Sequence, residues 1–299
     1  MATREIIRFG PPGHFYECPR WHAGQWWASD MRGQMVYRYS NDGEATAVLK
    51  LDDRPGGLGW LPDGTMVVVS IEKMKLLFLD AGFAVASELD LSHLAGETKG
   101  FLNDMWVLPS GDIYVGFGQD LHTYGLASEL GAIIHVDIDR NARVVATGLA
   151  FPNGIVVTPD GKTLVTAETG NPRVSGFAIN SDGSLGERQD WGLVDPQKDS
   201  RPEGSPPLGE KLVMLDGCGM DADGCLWAAD VSSACLRIAG GGEIVDAIFL
   251  PDGLLAYACM LGGEDGRTLM ICGADDNYQD RMIRKAAQLF LVRVAVPAA

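Results

Sequence analysis

The sequence is poor in basic residues. Its 299 residues hold 24 Lys and Arg against 40 Asp and Glu, which gives a formal net charge of −16. Nucleic acids and anionic membrane surfaces are bound through clustered positive charge, so this balance argues against both as partners. No stretch approaches the roughly 18 apolar residues of a membrane span, and the first residues lack the apolar segment of a secretory signal. We therefore expect a soluble, cytoplasmic protein of unknown oligomeric state.

Motifs for several kinds of chemistry are also missing. The six cysteines include no Cys-x-x-Cys pair and no zinc-ribbon spacing, which favours buried thiols in a reducing compartment. There is no Gly-x-Ser-x-Gly elbow, and none of the five histidines lies in a zinc-hydrolase motif. A covalent nucleophile is therefore not indicated.

Sustained helical periodicity is absent as well. The one helical candidate, near residues 280–290, can equally be a loop that leads into a last strand. Glycine, by contrast, is abundant: 38 residues spread along the chain. Five segments share a short apolar run, a glycine turn and a second β-rich run, which is the pattern of a hairpin. The turn glycines are Gly24, Gly64, Gly111, Gly161 and Gly224, and a looser sixth unit surrounds Gly266.

The spacing of these hairpins indicates the fold class. Successive leading residues lie 39, 47, 50 and 63 positions apart, and two further β-rich runs usually follow each hairpin. Four short strands in every 40 to 60 residues are typical of propeller blades. The sequence predicts an all-β fold, a six-bladed β-propeller with four antiparallel strands per blade, with residues 1–299 as a single domain. Two polar insertions, 118–131 and 195–210, are either surface loops or lids over a site.

The leading position of the units carries an oxygen-bearing side chain in four of six cases. The residues there are Glu17, Gly56, Asn103, Asn153, Asp216 and, in the looser unit, Ala258. Because the innermost strand of every blade lines the central channel, equivalent positions form a ring. Converging carboxylates repel one another unless a cation lies among them, which indicates a hard divalent ion. Each Asn or Asp before glycine could instead simply shape a turn.

Four motifs resemble those of the SMP-30/gluconolactonase family, which includes regucalcin. They begin at Glu17 (ECP-x-W), Phe101 (FLND), Phe151 (FPNG, followed by PDG) and Leu215 (LDG, followed by D-x-x-G-x-LW). They occur in the family's order and span nearly the whole chain. The resemblance implies a six-bladed propeller that binds one divalent ion and hydrolyses lactones, often of sugar acids. Some relatives cleave other esters or phosphotriesters.

The resemblance also implies roles for individual residues. The metal ligands would be Glu17, Asn153 and Asp216, with Asp216 also the general base for water and Asn103 a substrate contact. These oxygen ligands suit Ca²⁺, Mg²⁺ or Mn²⁺ and do not exclude Zn²⁺ or Fe²⁺. Cys218 lies two residues beyond Asp216, but it has no evident basic neighbour, which favours a structural thiol over a nucleophile.

Two positions depart from the family pattern. Sugar-lactone members often carry Arg where this chain has Phe101, and the family's acidic substrate contact has only an approximate counterpart in Asp120. Phenylalanine removes bidentate donors and offers an apolar face, so we expect a lactone less polar than gluconolactone. His122 and Tyr124, in the adjoining insertion, either line the entrance or belong to a surface loop.

Two non-enzymatic functions also fit the same residues. One is a non-catalytic metal-binding propeller, with a calcium-binding or regulatory role. The other is a protein-interaction platform whose polar ring merely solvates the channel. Converging carboxylates favour the hydrolase over the platform, because a scaffold has no need of them.

Overall fold

Six four-stranded antiparallel sheets make up the residues that the computed structural model describes, 4–208, 213–277 and 283–299. In five of these sheets the strands follow one another in chain order. Successive innermost strands contact each other, and the innermost strand of the sixth sheet contacts that of the first, which closes a ring. The six-bladed β-propeller predicted from the glycine turns is thereby confirmed.

Strand bounds are given blade by blade, from the innermost strand outwards. Blade 1 holds β2 (Tyr16–His22), β3 (Gln25–Asp30), β4 (Met35–Tyr39) and β5 (Ala45–Lys50). Blade 2 holds β6 (Pro55–Trp60), β7 (Met66–Ser70), β8 (Lys75–Leu79) and β9 (Val85–Asp90). Blade 3 holds β10 (Gly100–Val107), β11 (Ile113–Gln119), β12 (Gly131–Val136) and β13 (Ala142–Leu149). Blade 4 holds β14 (Pro152–Val157), β15 (Thr163–Glu168), β16 (Arg173–Ala178) and β17 (Gln189–Leu193). Blade 5 holds β18 (Leu215–Met220), β19 (Leu226–Asp230), β20 (Cys235–Ile238) and β21 (Ile244–Ile248).

Blade 6 joins the two ends of the chain. It holds β22 (Leu255–Gly262), β23 (Thr268–Ala274), β24 (Ala287–Arg293) and, outermost, the N-terminal strand β1 (Ile6–Gly13). The pairing of β1 with β24 is interrupted between Phe9 and Gly13, where Pro11 and Pro12 have no N–H to donate. An outermost strand tolerates such prolines. We did not predict this closing strand from the sequence.

Little of the described chain is helical. The C-terminal half of the helical candidate near 280–290 is strand β24, and residues 280–282 lie outside the described residues. The insertion at 118–131 contains the one-turn helix α1 (Leu121–Tyr124), and short 3₁₀ turns lie at Ser92–Ala95, Pro196–Lys198 and Pro251–Gly253. Of the insertion at 195–210, residues 209 and 210 lie outside the described residues. None of the described helices is long and apolar enough to span a bilayer.

The predicted turn glycines share a backbone conformation that L side chains rarely adopt. All six have positive φ, from 68 to 95°, and they are Gly24, Gly64, Gly111, Gly161, Gly224 and Gly266. Such a φ costs little only for glycine, which is why the turn between the first two strands of each blade is marked in the sequence. The sixth unit, which fits the repeat only loosely, therefore has the same turn as the others.

Buried acidic side chains hold the beginning of three inner strands. Asp30, Glu168 and Asp230 end the second strands of blades 1, 4 and 5 and are nearly inaccessible to solvent. Each carboxylate accepts a hydrogen bond of 2.8 or 2.9 Å from a backbone N–H just before the inner strand; the donors are Phe15, Ala150 and Met214. These bonds satisfy buried N–H groups and hold the first residues of the inner strands at the mouth of the channel.

Burial decreases from the inner to the outer strands. Every residue of β14 and β18 is buried, whereas none of β9 is. Polar side chains on the inner strands therefore lie where unpaired polar groups are costly, so they need hydrogen-bond partners or an ion.

Candidate active site

The four oxygen-bearing ring residues lie on four different inner strands. Glu17 is on β2, Asn103 on β10, Asn153 on β14 and Asp216 on β18, and each is less than a tenth exposed. In blades 3, 4 and 5 the ladder with the second strand is interrupted at these residues by a β-bulge, a device that re-aims side chains. The three residues thus lie within strands, and the alternative that they simply shape turns does not hold.

The glycines of these motifs are explained by the crowding of inner strands. A β carbon at Gly154 would lie 2.6 Å from the backbone nitrogen of Cys218 and 2.8 Å from the carbonyl oxygen of Asp216. A β carbon at Gly56 would lie 2.7 Å from the carbonyl oxygen of Asn103. Blade 2 therefore cannot contribute a side chain here, which leaves the polar side chains to its neighbours.

The sixth blade contributes no oxygen either. Ala258 pairs with Cys272 as Cys218 pairs with Ala228, so Ala258 corresponds to the residue two places beyond Asp216. The position equivalent to Asp216 is Ala256, which is also buried. The looser sixth unit was therefore aligned two residues too late, without consequence for the polar ring.

A chain of hydrogen bonds orients the Asn153 amide. Asn153 Nδ2 donates to Thr169 Oγ1 at 3.1 Å, and Thr169 Oγ1 donates its proton to the carbonyl oxygen of Leu215 at 2.6 Å. Because that proton is committed, the hydroxyl oxygen can only accept from the amide. Asn153 Oδ1 consequently faces the other way, where Asn103 Nδ2 donates to it at 2.9 Å.

The two carboxylates of the ring act on the same buried thiol. Burial raises the pKa of Cys272 well above its ordinary value, and the negative charges of Glu17 and Asp216 raise it further. Both acids therefore lie within electrostatic reach of one point in blade 6. Burial also raises the pKa of Cys218, with smaller contributions from nearby charges that include Asp216, so this thiol is unsuited to be a nucleophile.

The residues present suit a hard divalent cation. Glu17 and Asp216 supply carboxylate oxygens and Asn153 supplies an amide oxygen, the donor types that such ions prefer. Across the described residues, no group of three or more His, Cys, Asp or Glu side chains is placed to hold a metal ion. The candidate set has only two residues of those types, so it depends on the amide of Asn153 and hence on Thr169.

A buried ion pair also joins the inner strands. Arg20 Nη2 donates to Asp104 Oδ1 at 2.6 Å and to the carbonyl oxygen of Met105 at 2.9 Å, and Arg20 Nε donates to the carbonyl oxygen of Leu58 at 3.1 Å. Arg20 is buried, and although desolvation opposes it, the charge of Asp104 raises the pKa of the guanidinium. The pair ties three inner strands together.

Phe101 and Asp120 line a cavity of about 530 Å³ on the rim of blade 3. The Phe101 ring lies 5.7 Å from the ring of Phe151, and these two residues precede Asn103 and Asn153 by two positions each. Phe101 therefore lies on the same inner strand as Asn103, two residues before it, and lines the cavity.

The insertion at 118–131 forms one wall of this cavity. Asp120 begins helix α1 and accepts a hydrogen bond from the Thr123 N–H at 2.8 Å. Hydrogen bonding by the side chain of Thr123, and then by its backbone, lowers the pKa of the Asp120 carboxyl group. His122 also lines the cavity, whereas the Tyr124 hydroxyl accepts a hydrogen bond from the Lys99 N–H at 3.4 Å. The structure thus brings Asp120 beside Phe101.

Comparison with known proteins agrees with this arrangement. The model of the SMP-30/Gluconolactonase/LRE-like region matches residues 15–275. The chain belongs to this family. It is 27% identical over 294 residues to a 6-deoxy-6-sulfogluconolactonase of Pseudomonas putida, covering 96% of this chain and 93% of the relative.

Solved structures of this family share the fold. A gluconolactonase from Xanthomonas campestris is 19% identical, with a TM-score of 0.72 over 99% of this chain and 91% of that one. A calcium-binding regucalcin from Agrobacterium tumefaciens is also 19% identical, with a TM-score of 0.74 over 97% and 93% of the two chains. A luciferin-regenerating enzyme is 18% identical, with a TM-score of 0.78 over 99% and 98%.

Several residues of this SMP-30-like site were not predicted from the sequence. Arg20 stands at the variable position of the ECP-x-W motif, and Asp104 directly follows Asn103. Thr169 follows Glu168, which ends the second strand of blade 4. These three residues therefore lie next to positions that the repeat or the motifs identify. Their roles, however, depend on contacts with neighbouring blades.

Proposed function

We propose that this protein is a divalent-metal-dependent lactonase, which opens the ring of a lactone with water. The observation that carries the proposal is a set of four buried polar side chains on inner strands, Glu17, Asn103, Asn153 and Asp216, in which Asn103 donates a hydrogen bond to Asn153. The relative named 6-deoxy-6-sulfogluconolactonase, which matches nearly the whole chain, supports a lactone as the substrate.

Glu17, Asn153 and Asp216 would hold the metal ion. When bound, a divalent ion supplies Lewis-acid chemistry: it polarises an ester carbonyl and favours ionisation of water. Its charge also offsets the two buried carboxylates, which would otherwise be costly together. Thr169 keeps the Asn153 oxygen directed at the channel.

The chain's own groups would then handle the substrate and the proton. Asn103 positions the lactone through its amide, which Asn153 holds. Asp216 takes a proton from the attacking water, the new C–O bond forms at the carbonyl carbon, and the ring C–O bond breaks. The proton passes to the departing alkoxide, which yields the free hydroxy acid.

Hydrolysis of a lactone panel tests the proposal. Sugar acid lactones, including a 6-sulfonated one, and aliphatic and aromatic lactones are offered to chelator-treated protein, with Ca²⁺, Mg²⁺, Mn²⁺, Zn²⁺ or Fe²⁺ restored. Acid release is followed at constant pH. We expect turnover only with metal, and the preferred lactone shows whether Phe101 selects a substrate less polar than gluconolactone.

Two variants of Asp216 separate its two roles. Asp216→Ala removes both a metal ligand and the base, so metal binding and turnover are both lost. Asp216→Asn keeps an oxygen ligand but not the base, so kcat falls more than metal affinity. Asp63→Asn, in an exposed hairpin turn, is the matched control and retains full activity. Metal binding by the native protein without turnover of any lactone would contradict the lactonase and favour a metal-binding role.

A further inference from the structure

The cavity beside Phe101 is lined by basic side chains from three blades. Arg32 follows the second strand of blade 1, Arg54 precedes the inner strand of blade 2, and Lys99 precedes that of blade 3. In a protein with 24 basic residues and a net charge of −16, three in one cavity is a marked local excess. Two acids, Glu72 and Asp120, share the cavity, so the formal balance is one positive charge.

One of the two acids interacts with an arginine of the cavity itself. Glu72 Oε1 accepts a hydrogen bond from Arg54 Nη2 at 2.6 Å, but the Glu72 side chain is 63% exposed, so this ion pair contributes little. The Asp120 carboxylate caps helix α1 through the Thr123 N–H. An anion in the cavity would therefore compete with Glu72 for Arg54.

Arg54 is the best placed of the three cations. Its side chain is 18% exposed, and the centre of its guanidinium lies 5.8 Å from the centroid of the Phe101 ring. Its Nε is buried and has no hydrogen-bond partner among the residues that the structure describes. A buried N–H without a partner is costly, and a guanidinium prefers planar, bidentate acceptors such as carboxylate, sulfonate or phosphate.

We propose that this cavity is an anion subsite, and that the lactone carries a negatively charged substituent bound by Arg54, with Arg32 and Lys99 adding to the field. The inference rests on the proposed lactonase, since it describes the substrate of the same site. Phe101 packs against the substrate carbons between that anion and the lactone ring held at Asn103. The charge of the cavity thus favours an anionic lactone, in contrast to the less polar substrate expected from Phe101 alone.

A matched pair of lactones tests the subsite. D-glucaro-1,4-lactone and D-glucono-1,4-lactone differ only in a carboxylate against a hydroxymethyl group at C6, and a third arm carries a sulfonate there. We expect kcat/KM of the native metal-loaded protein to be at least tenfold higher for the anionic lactones. Arg54→Met should lower kcat/KM for the anionic lactones by roughly 10- to 100-fold, the loss typical of a charge-assisted contact, and change that for the neutral lactone less than about threefold.

Two further variants guard against a structural explanation. Arg140→Met removes another arginine that lies over a phenylalanine ring, that of Phe78, but outside the cavity, and should leave selectivity unchanged. Glu72→Gln removes the exposed competitor of the anion, so selectivity for the anionic lactones should rise or stay equal.

The outcomes distinguish the two proposals. Equal kcat/KM for anionic and neutral lactones, or equal losses for both in Arg54→Met, would overturn the subsite and leave the lactonase intact. If no lactone is hydrolysed, the lactonase fails, and calorimetry with intact D-glucaro-1,4-lactone and uncharged D-glucono-1,4-lactone decides the subsite. Tighter binding of the anionic lactone that Arg54→Met abolishes would support the subsite, and equal binding of the two lactones would overturn it.

Discussion

Thr169→Val changes one buried hydroxyl to a methyl group of similar size. In the structure that hydroxyl joins Asn153 Nδ2, at 3.1 Å, to the carbonyl oxygen of Leu215, at 2.6 Å. The variant leaves both partners buried and unsatisfied, and each such group costs about 1–3 kcal/mol. We therefore expect the free energy of unfolding of the metal-free protein to fall by about 2–4 kcal/mol.

The same variant should weaken metal binding. Without Thr169 the Asn153 amide keeps its hydrogen bond from Asn103 Nδ2 but loses the one that holds its Nδ2, so its oxygen is less firmly pre-oriented. Loss of a partner that orients a metal ligand typically lowers affinity by roughly 10- to 100-fold. Titration calorimetry of Ca²⁺ and Mn²⁺ into chelator-treated protein measures this, and circular dichroism verifies that the variant is folded.

Two control variants isolate the orienting role. Thr169→Ser keeps the hydroxyl and should bind metal nearly as the native protein does. Thr166→Val, in the second strand that ends just before Thr169, removes a buried hydroxyl whose one described hydrogen bond, of 3.4 Å, goes to the adjacent carbonyl of Ala167, and should leave affinity unchanged. Native metal affinity in Thr169→Val, together with reduced stability, would refute the orienting role and leave Thr169 a purely structural residue.

Three further predictions concern stability. Gly154→Ala should lower the free energy of unfolding by about 1–3 kcal/mol in urea, because its β carbon meets the next inner strand, whereas Gly240→Ala, with open space around it, should not. Asp104→Asn should cost about 3–5 kcal/mol, because it leaves Arg20 charged and buried without its counter-ion; an unchanged urea midpoint would contradict this. Burial raises the pKa of Tyr114 to about 12. In the unfolded chain the Tyr114 hydroxyl ionises near pH 10, so the free energy of unfolding should decrease as the pH rises from about 10 towards 12. This decrease should be smaller in Tyr114→Phe.

The blades could be predicted because their signals are local. A hairpin turn that requires positive φ needs glycine, and the six turn glycines recur at blade-sized intervals. Counting back from these turns also placed Glu17, Asn103, Asn153 and Asp216 on inner strands, since strand length and turn type fix the register within a hairpin. Only the sixth unit, where the leading residue is apolar, was misaligned.

Contacts between distant parts of the chain could not be predicted in this way. Strand β1 pairs Ile6 with Val292, and no local pattern indicates which edge a short strand with two prolines will join. Thr169 bonds to the inner strands of blades 4 and 5, and Arg20 crosses from blade 1 to blades 2 and 3. Their roles arise only when the ring closes, so the residue types alone do not indicate them.

Phe101 shows why substrate polarity belongs to this second class. The absence of arginine at that position favours an apolar substrate if the position is considered alone. A cavity between blades, however, receives side chains from several segments, and a guanidinium supplied from blade 2 acts on the same volume as one supplied from blade 3. Coulomb interactions at such separations depend on distance and solvent exposure, not on which segment carries the charge. The electrostatic potential in a propeller site therefore depends on the charged side chains of all neighbouring blades together. Arg54→Met tests this contribution from another blade, which a substitution at Phe101 would not.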